Sequence, residues 1–348
     1  MLPLETVLPK RILVVRSLPG LGDLLCSVPA LRALRVAFPT SQIDWMGLPE
    51  MRWFGDRFSH LIDDWVMFPG YPGIPEGWQG SAATLSFLAE QQANPYDLVL
   101  QLHGNGSYIN PFVLLLGAKM NAGFFMPGQF CPDPQSFLVY PDGEPEIWRL
   151  LRLLEFLRIP LQGDQLEFPL HPCEQQFYRH LSQQHRLKPQ SYLCIHPGAS
   201  GGDRRWSVQG FAAIADALAQ WGYQIVLTGT AAERSLVAAV AQQMTARSVN
   251  LAGETDLATL AQLLNNAALL ICNDTGISHL AAAMKTPSVV IFSNSERHRW
   301  APLDGDRHRV VDVRQSQTAT FQAIVAKAEY LLARQLGRIS CGEVAYVR

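Results

Sequence analysis

Stretches of this 348-residue chain place polar or phosphate-seeking side chains between an apolar run and a helical pattern. The first is Arg16-Ser17-Leu18-Pro19-Gly20-Leu21-Gly22-Asp23. Its glycines let the backbone turn sharply, and the Asp23 carboxylate beyond them could take a proton from an attacking hydroxyl. An Asp ahead of an apolar helix is also a favoured N-cap, so position alone leaves both roles open. The string is neither a Walker loop nor a dinucleotide G-x-G-x-x-G fingerprint.

The second stretch runs from Ile195 to Trp206 through His196-Pro197-Gly198-Ala199-Ser200-Gly201-Gly202-Asp203-Arg204-Arg205. Small residues with two arginines suit a diphosphate: backbone N–H groups and Ser200 donate, while Arg204 or Arg205 supplies charge and bidentate geometry. The plain alternative is a surface loop. His196 has no acidic neighbour in sequence and reads as a packed or hydrogen-bonded histidine. The third stretch is Cys272-Asn273-Asp274-Thr275-Gly276-Ile277-Ser278-His279-Leu280. A helix N-terminus collects anions through free N–H groups and its dipole. Thr275 and Gly276 would present N–H groups to a phosphate, and Asp274 would accept from a ribose or sugar hydroxyl. Alternatively, Asp274 caps the helix and His279 is a buried structural residue. Glu233, just inside a helix after Leu227-Thr228-Gly229-Thr230, binds ribose hydroxyls or complements the helix dipole. His103 and Asn105, at a strand end in Gln101-Leu102-His103-Gly104-Asn105-Gly106, are the acceptor-side candidates, a structural role being equally open. Asp304-Gly305-Asp306 matches a D-x-D string, but glycine between acids after a proline is ordinary turn chemistry. No other spacing suggests metal ligands, and no metal or cofactor is expected.

The elements that must hold these residues follow from the apolar pattern. Ile12 to Val15 is a buried-strand run, followed by a helical stretch from Leu24 to Phe38 that Pro39 ends. Strands are predicted at Gln42 to Met46, Asp64 to Phe68 and Asp97 to Leu102, with helices near Gln79 to Ala93 and Pro145 to Leu157. After Lys188-Pro189 the pattern restarts. Strands at Tyr192 to His196, Tyr223 to Thr228, Ser248 to Leu251, Ala268 to Cys272 and Ser288 to Phe292 alternate with helices. Those helices are Ser207 to Gln220, Ala231 to Thr245, Leu257 to Asn265 and Ile277 to Met284. Such alternation predicts an α/β chain with parallel sheets covered by helices. Two Rossmann-like domains are expected, residues 1–180 and 181–348, joined between about Gln162 and Gln190, with a cleft between them. A last amphipathic helix, Ala319 to Arg334, could pack back on the first domain.

Composition narrows the class. The chain is 48% hydrophobic and 17% charged, an ordinary globular balance. No window holds the roughly 18 apolar residues of a membrane span, and Met1 to Lys10 carries no secretory pattern, so a cytoplasmic location is expected. Cys26, Cys131, Cys173, Cys194, Cys272 and Cys341 form no C-x-x-C pair, which argues against zinc and disulfides; Cys194 and Cys272 read as core thiols. The net charge of −2 divides into −6 for residues 1–170 and +4 for residues 171–348. A mildly basic second half suits a phosphate-bearing small molecule, whereas a nucleic-acid binder would carry a denser basic patch.

Taken together, the junctions resemble glycosyltransferase family nine, the bacterial lipopolysaccharide heptosyltransferases, over nearly the whole chain. The resemblance lies in Leu21-Gly22-Asp23-Leu24-Leu25, Pro29-Ala30-Leu31-Arg32-Ala33-Leu34-Arg35, Phe38-Pro39, His196-Pro197-Gly198-Ala199-Ser200, Arg205-Trp206 and Asp274 through Ala283. It implies a GT-B fold, two Rossmann-like domains whose parallel sheets face across a cleft. It further implies an ADP-heptose-type donor in the second domain and metal-independent transfer with inversion. Asp23 would be the general base, and Arg204 would take the place of a phosphate-binding lysine. Ser200, Arg205, Glu233, Asp274, Thr275, Gly276 and His279 would complete the donor side. Ser207 follows the tryptophan where proline is usual, and Phe292-Ser293-Asn294-Ser295-Glu296 replaces a Gly-Pro-Thr-type turn. The expected acceptor is a hydroxyl on a lipopolysaccharide-like glycan or glycolipid, reached at the inner face of the cytoplasmic membrane with transient peripheral contact and no nucleic-acid partner. The rival expectations are a nucleotide-sugar epimerase or hydrolase on a similar scaffold, and a catalytically idle nucleotide-sugar-binding protein.

Overall fold

The structure, a computed structural model, describes residues 8–313 and 317–335; Met1 to Val7 and Cys341 fall outside the described residues. The chain forms two compact units, Met1–Leu166 and Glu167–Arg348. The first contains β1 (Arg11–Val15), α1 (Leu21–Leu25), α2 (Val28–Ala37), β2 (Gln42–Gly47), α3 (Arg52–Arg57), β3 (Asp64–Met67) and α4 (Ser81–Ala93). It continues with β4 (Leu98–Gln101), α5 (Ile109–Leu115), β5 (Met120–Phe125), β6 (Phe137–Val139) and α6 (Glu146–Phe156).

The second unit contains α7 (Gln175–Gln184), β7 (Tyr192–His196), α8 (Val208–Ala219), β8 (Gln224–Leu227), α9 (Arg234–Gln243), β9 (Ser248–Asn250) and α10 (Leu257–Asn266). Then come β10 (Leu269–Asn273), α11 (Gly276–Ala283), β11 (Ser288–Phe292), α12 (Arg297–Trp300), β12 (His308–Asp312) and α13 (Gln317–Gln335).

Each unit is built on a six-stranded sheet, in the orders β3-β2-β1-β4-β5-β6 and β12-β11-β10-β7-β8-β9. The named strand pairs are all parallel. Read from β9, the second order repeats the first: third, second, first, fourth, fifth, sixth. The order reverses between β1 and β4 in one unit and between β7 and β10 in the other. Open parallel sheets gather ligands at that reversal, outside the carboxyl ends of the strands. The central strands are buried on both faces, as parallel strands covered by helices must be: Ile12 to Val15 and Leu269 to Asn273 are fully enclosed.

Local chemistry explains where the elements differ from the expected ones. The single helix predicted over Leu24 to Phe38 is divided into α1 and α2. Pro29, in the first turn of α2, has no N–H to extend the preceding turn, and Ser27 Oγ donates to the Leu24 carbonyl at 2.5 Å where the two helices meet. The strands β5, β6 and β12 were not anticipated. β6 and β12 are edge strands with incomplete burial, and so lack the continuous apolar run that marks a central strand. α7, expected to be linker, packs on α10, which moves the boundary from residue 180 to Leu166. α13 lies on α8, β11 and β12, and its Ile324, Ala328, Leu331 and Leu332 belong to the core of the second unit.

Candidate functional site

In the first unit the site is built around Arg16, the residue that follows β1 at the order reversal. Its side chain is fully buried, and such a cation needs every donor satisfied. Nε donates to the Asp23 carbonyl at 3.0 Å and Nη1 to the Leu102 carbonyl at 2.6 Å. Nη2 is divided between Asp23 Oδ1 at 3.2 Å and Glu146 Oε1 at 2.8 Å. Burial works against the charge, but the two carboxylates outweigh it and hold the guanidinium pKa above its ordinary value.

Asp23 is therefore not in the cap position that the sequence left open: α1 begins at Leu21 behind Gly20, and the Asp23 carboxylate is turned to Arg16. Its side chain is 24% exposed, whereas Glu146, at the first position of α6, is buried. Gly20 has an ordinary negative φ; what it supplies is space, since a Cβ there would collide with the Asp23 carboxylate. Asp23 is thus a carboxylate with one side fastened to a rigid cation and partial access to solvent, able to accept a proton.

His103, just beyond β4, ties the two strand tips together: the Ser17 N–H donates to its Nδ1 at 3.2 Å, with Ser17 Oγ at 3.1 Å. Accepting there places the ring proton on Nε2. Burial, and then the Arg16 charge, push its pKa down to about 4, so the ring is neutral at physiological pH. Asn105 Oδ1 accepts from the Ser107 N–H at 3.1 Å and holds the local turn.

In the second unit, Asn273 closes the loop after β7. Fully buried at the end of β10, it donates from Nδ2 to the Pro197 carbonyl at 2.8 Å and accepts at Oδ1 from the Trp206 N–H at 2.9 Å. Both ends of the arginine loop thus hang from one amide. Arg205 draws the loop in further, with Nε and Nη2 donating to the Ala199 carbonyl at 3.0 and 2.8 Å. Ser200 is exposed at the tip. Arg204 is half-buried, and among the described residues its guanidinium has no hydrogen bond or ion pair; it acts through space on Asp274. Of the two arginines, Arg204 is therefore the one with its whole guanidinium to offer. Ser207, in the place where proline is usual, caps α8 by accepting from the Gly210 N–H at 3.0 Å.

At the third junction Asp274 is buried and does not cap the helix. Thr275 occupies the N-cap of α11, and no side chain caps it; the Ser278 N–H turns back to the Thr275 carbonyl, which leaves the N–H groups of Gly276 and Ile277 at the helix start. Burial raises the Asp274 pKa, with the Ser295 hydroxyl and Arg204 opposing. His279 is buried one turn into α11, with its ring edge-on to Trp300 at 6.0 Å.

Glu233 is engaged at the start of its helix. Oε2 accepts from the Thr230 N–H at 2.8 Å and the Thr230 hydroxyl at 2.9 Å, a capping box, while the rest of the carboxylate lies over Gly198, where any Cβ would collide with it. Burial alone would raise its pKa, yet the Thr230 bonds reverse the direction and keep it anionic. The fold supplies His196 with the acidic neighbour that the linear sequence lacked. Its Nε2 is 3.9 Å from Glu233 Oε2, and Nδ1 meets Thr228 Oγ1 at 3.1 Å. Burial depresses the His196 pKa, with Glu233 pulling the other way.

Sequence reasoning passed over Arg16, Glu146 and Asn273. The first two are a cation directly after a central strand and an acid at a helix start, a signal that becomes visible only once both strands at the reversal are known. Asp304-Gly305-Asp306 is a turn: Asp304 Oδ1 accepts from the Asp306 and Arg307 N–H groups at 3.0 and 3.2 Å. It precedes β12 and so lies toward the amino ends of the strands, opposite the junctions above. Among the described residues no group of three or more His, Cys, Asp or Glu is arranged to hold a metal ion. Cys194 and Cys272 are buried core thiols whose burial raises their pKa values.

Residues 85–330 match the family described as glycosyltransferase family 9 (heptosyltransferase). Lipopolysaccharide heptosyltransferase 3 of Escherichia coli K12 is 28% identical over 292 residues, spanning 81% of this chain and 82% of that one. The crystal structure of a family 9 glycosyl transferase from Veillonella parvula superimposes with a TM-score of 0.75 at 20% identity, over 93% of this chain and 97% of that one. The structure of E. coli ADP-heptose lps heptosyltransferase II gives 0.72 at 22% identity, over 94% and 99%. These likenesses establish the GT-B fold. A chain with two parallel sheets of one strand order, polar loops at both reversals and this family match belongs to glycosyltransferase family 9 and is a glycosyltransferase.

Proposed function

We propose that the enzyme transfers a heptose from a nucleoside-diphosphate donor of the ADP-heptose type to a hydroxyl of a lipopolysaccharide core acceptor, inverting the anomeric centre. The acceptor oxygen attacks the anomeric carbon as the bond to the diphosphate breaks, and Asp23 takes the hydroxyl proton. Negative charge grows on the departing diphosphate. Arg204 and the uncapped N-terminus of α11 meet it, so they bind best where charge is greatest, in the transition state. Asp274 and Glu233 accept from sugar and ribose hydroxyls, and His279 lines the donor side. His103 and Asn105 belong to the acceptor side, and Ser200 and Arg205 shape the donor loop. No metal takes part in this scheme: the diphosphate charge falls to Arg204 and backbone N–H groups. The reaction runs on the cytoplasmic side of the membrane, at its surface when the acceptor is lipid-linked; among the described residues no helix is long and apolar enough to cross a membrane.

The observation that carries this reading is the half-buried Arg204, with free donors, acting on Asp274 beside an uncapped helix start at the order reversal of the second sheet. The E. coli protein of similar fold is, by its name, an ADP-heptose lps heptosyltransferase, which supports the donor class. The test is ADP release from ADP-heptose with a panel of deacylated lipopolysaccharide core oligosaccharides. Acceptor-dependent release with the opposite anomeric configuration in the product is expected. Rapid acceptor-independent conversion to a free or rearranged sugar would favour an epimerase or hydrolase. Donor binding with no turnover for any acceptor would favour an idle binding protein.

A further inference from the structure

Glu146 has no place in the scheme above, yet it makes the shorter of the two bonds to Arg16 Nη2 and is the more deeply buried of the two carboxylates there. α6 delivers it from its first residue. Its apolar face, Ile147, Leu150, Leu151, Leu153 and Leu154, is buried, and the helix packs on α2, so the carboxylate is held by a rigid element. Arg149, the next basic residue on α6, is engaged elsewhere, by the Glu144 carbonyl at 2.8 Å, the Tyr140 hydroxyl at 2.8 Å and the Asp142 carbonyl. Glu146 therefore faces Arg16.

The charged and titratable groups around this point come from separate elements: Arg16 beyond β1, Asp23 and Cys26 on and after α1, His103 beyond β4 and Glu146 on α6. His103 is neutral, and among the described residues Arg16 is a buried cation shared between two carboxylates. If Arg16 faced Asp23 alone, its whole charge would favour the ionised carboxylate and make Asp23 a weak proton acceptor. With Glu146 drawing the guanidinium closer, much of that charge is already compensated.

We infer that Glu146 is a positioning residue that neutralises Arg16, so that Arg16 fixes the direction of the Asp23 carboxylate without depriving it of basicity. The catalytic consequence rests on Asp23 being the proton acceptor, whereas the electrostatic consequence does not. One set of variants separates them. Glu146→Gln keeps the shape and an oxygen for Arg16 Nη2 but removes the charge. Glu146→Asp keeps the charge one methylene farther away, and serves if the glutamine variant does not fold.

The Asp23 carboxyl is titrated by carbon NMR in aspartate-labelled protein, its signal assigned by its loss in Asp23→Asn, alongside the pH dependence of kcat for ADP release from ADP-heptose and core oligosaccharide. In Glu146→Gln the Asp23 midpoint falls by about one pH unit relative to the parent, and by less in Glu146→Asp. The acid limb of kcat moves by the same amount, and the plateau falls by about threefold to tenfold. A merely structural role would lower activity at every pH and leave midpoint and limb in place, and that result overturns the inference. A midpoint that moves while the limb stays overturns Asp23 as the base and leaves the electrostatic assignment of Glu146 standing.

Discussion

The two units repeat one strand order but place opposite charges at the point where it reverses. In the first, the residue after the leading strand is a buried arginine whose three guanidinium nitrogens are all engaged, and the group left partly exposed is a carboxylate, Asp23. In the second, the leading strand runs into a loop hung from Asn273, and the groups left available are a guanidinium, Arg204, and the start of α11. The net charges of residues 1–170 and 171–348, −6 and +4, have the same signs. In both units a side chain crosses between the tips of the strands at the reversal: Arg16 to Leu102 in one, Asn273 to Pro197 in the other. The scaffold is thus indifferent to the chemistry, and the loop residues held beside the crossing side chain decide which sign is presented.

Replacing residues on either side of this comparison should have graded effects. The largest falls on the first unit: Asp23→Asn should lower kcat by about two to four orders of magnitude with ADP-heptose affinity nearly kept, since in the proposed scheme a base is lost and no binding group. Steady-state kinetics with calorimetric binding would check it, and a variant with parental kcat would remove the first unit from the chemistry. Next, Arg16→Met should destabilise the fold by about 3–5 kcal/mol, because Glu146 is left as an uncompensated buried charge. Denaturant unfolding measures this, and an unchanged midpoint would mean that the crossing cation is not structural.

The second unit should respond through binding. Arg204→Ala should weaken ADP affinity by roughly tenfold to a hundredfold, the loss of hydrogen bonds to a charged group worth about 1.5–3 kcal/mol. Arg205→Ala, whose bonds run to Ala199, should cost less; equal effects would erase the distinction between the two arginines. Asn273→Ala leaves the buried Trp206 N–H without its partner and should lower stability by about 1–3 kcal/mol, with a weaker ADP complex as the loop loosens.

The last effect is shared and is small near neutral pH. His103 and His308, one in each unit, are both held neutral down to about pH 4, in each case mainly by burial. The unfolded rings protonate near 6.5, so as pH falls below that value the unfolded chain binds protons that the folded chain does not. Stability is complete above about 6.5 and declines toward 4, by at most about 1.4 kcal/mol per pH unit for each ring. Unfolding free energies across this range should flatten in steps in His103→Gln and His308→Gln. A single variant that abolished the whole slope would assign it to one unit.

The central strands and the helices behind the junctions were legible because buried parallel strands and amphipathic helices have periods that a linear pattern displays. The stretches around Asp23, Arg204 and Asp274 were legible for the same reason, as breaks between such periods. The edge strands β6 and β12 were not, since half-exposed residues carry no clear period. Nor was the break between α1 and α2, although Pro29 marked it. The cap readings kept open for Asp23 and Asp274 failed for a common reason. A cap depends on where the first helical residue falls, and α1 and α11 begin at Leu21 and Gly276, which leaves Gly20 and Thr275 in the cap positions.

Linear order was enough to establish a doubled α/β chain, its family likeness and which loops hold polar residues, because these rest on local periodicity and short motifs. Partnership was not available from it. Glu146 lies 130 positions from Arg16, Asn273 lies 67 from Trp206, and His196 gains Glu233 from the next strand-to-helix connection. Hydrogen bonds and ion pairs act over about 3 Å, whereas a chain can return to the same point after any number of residues. Only folding the strands into their order determines which side chains share a charge and which are left free for a ligand.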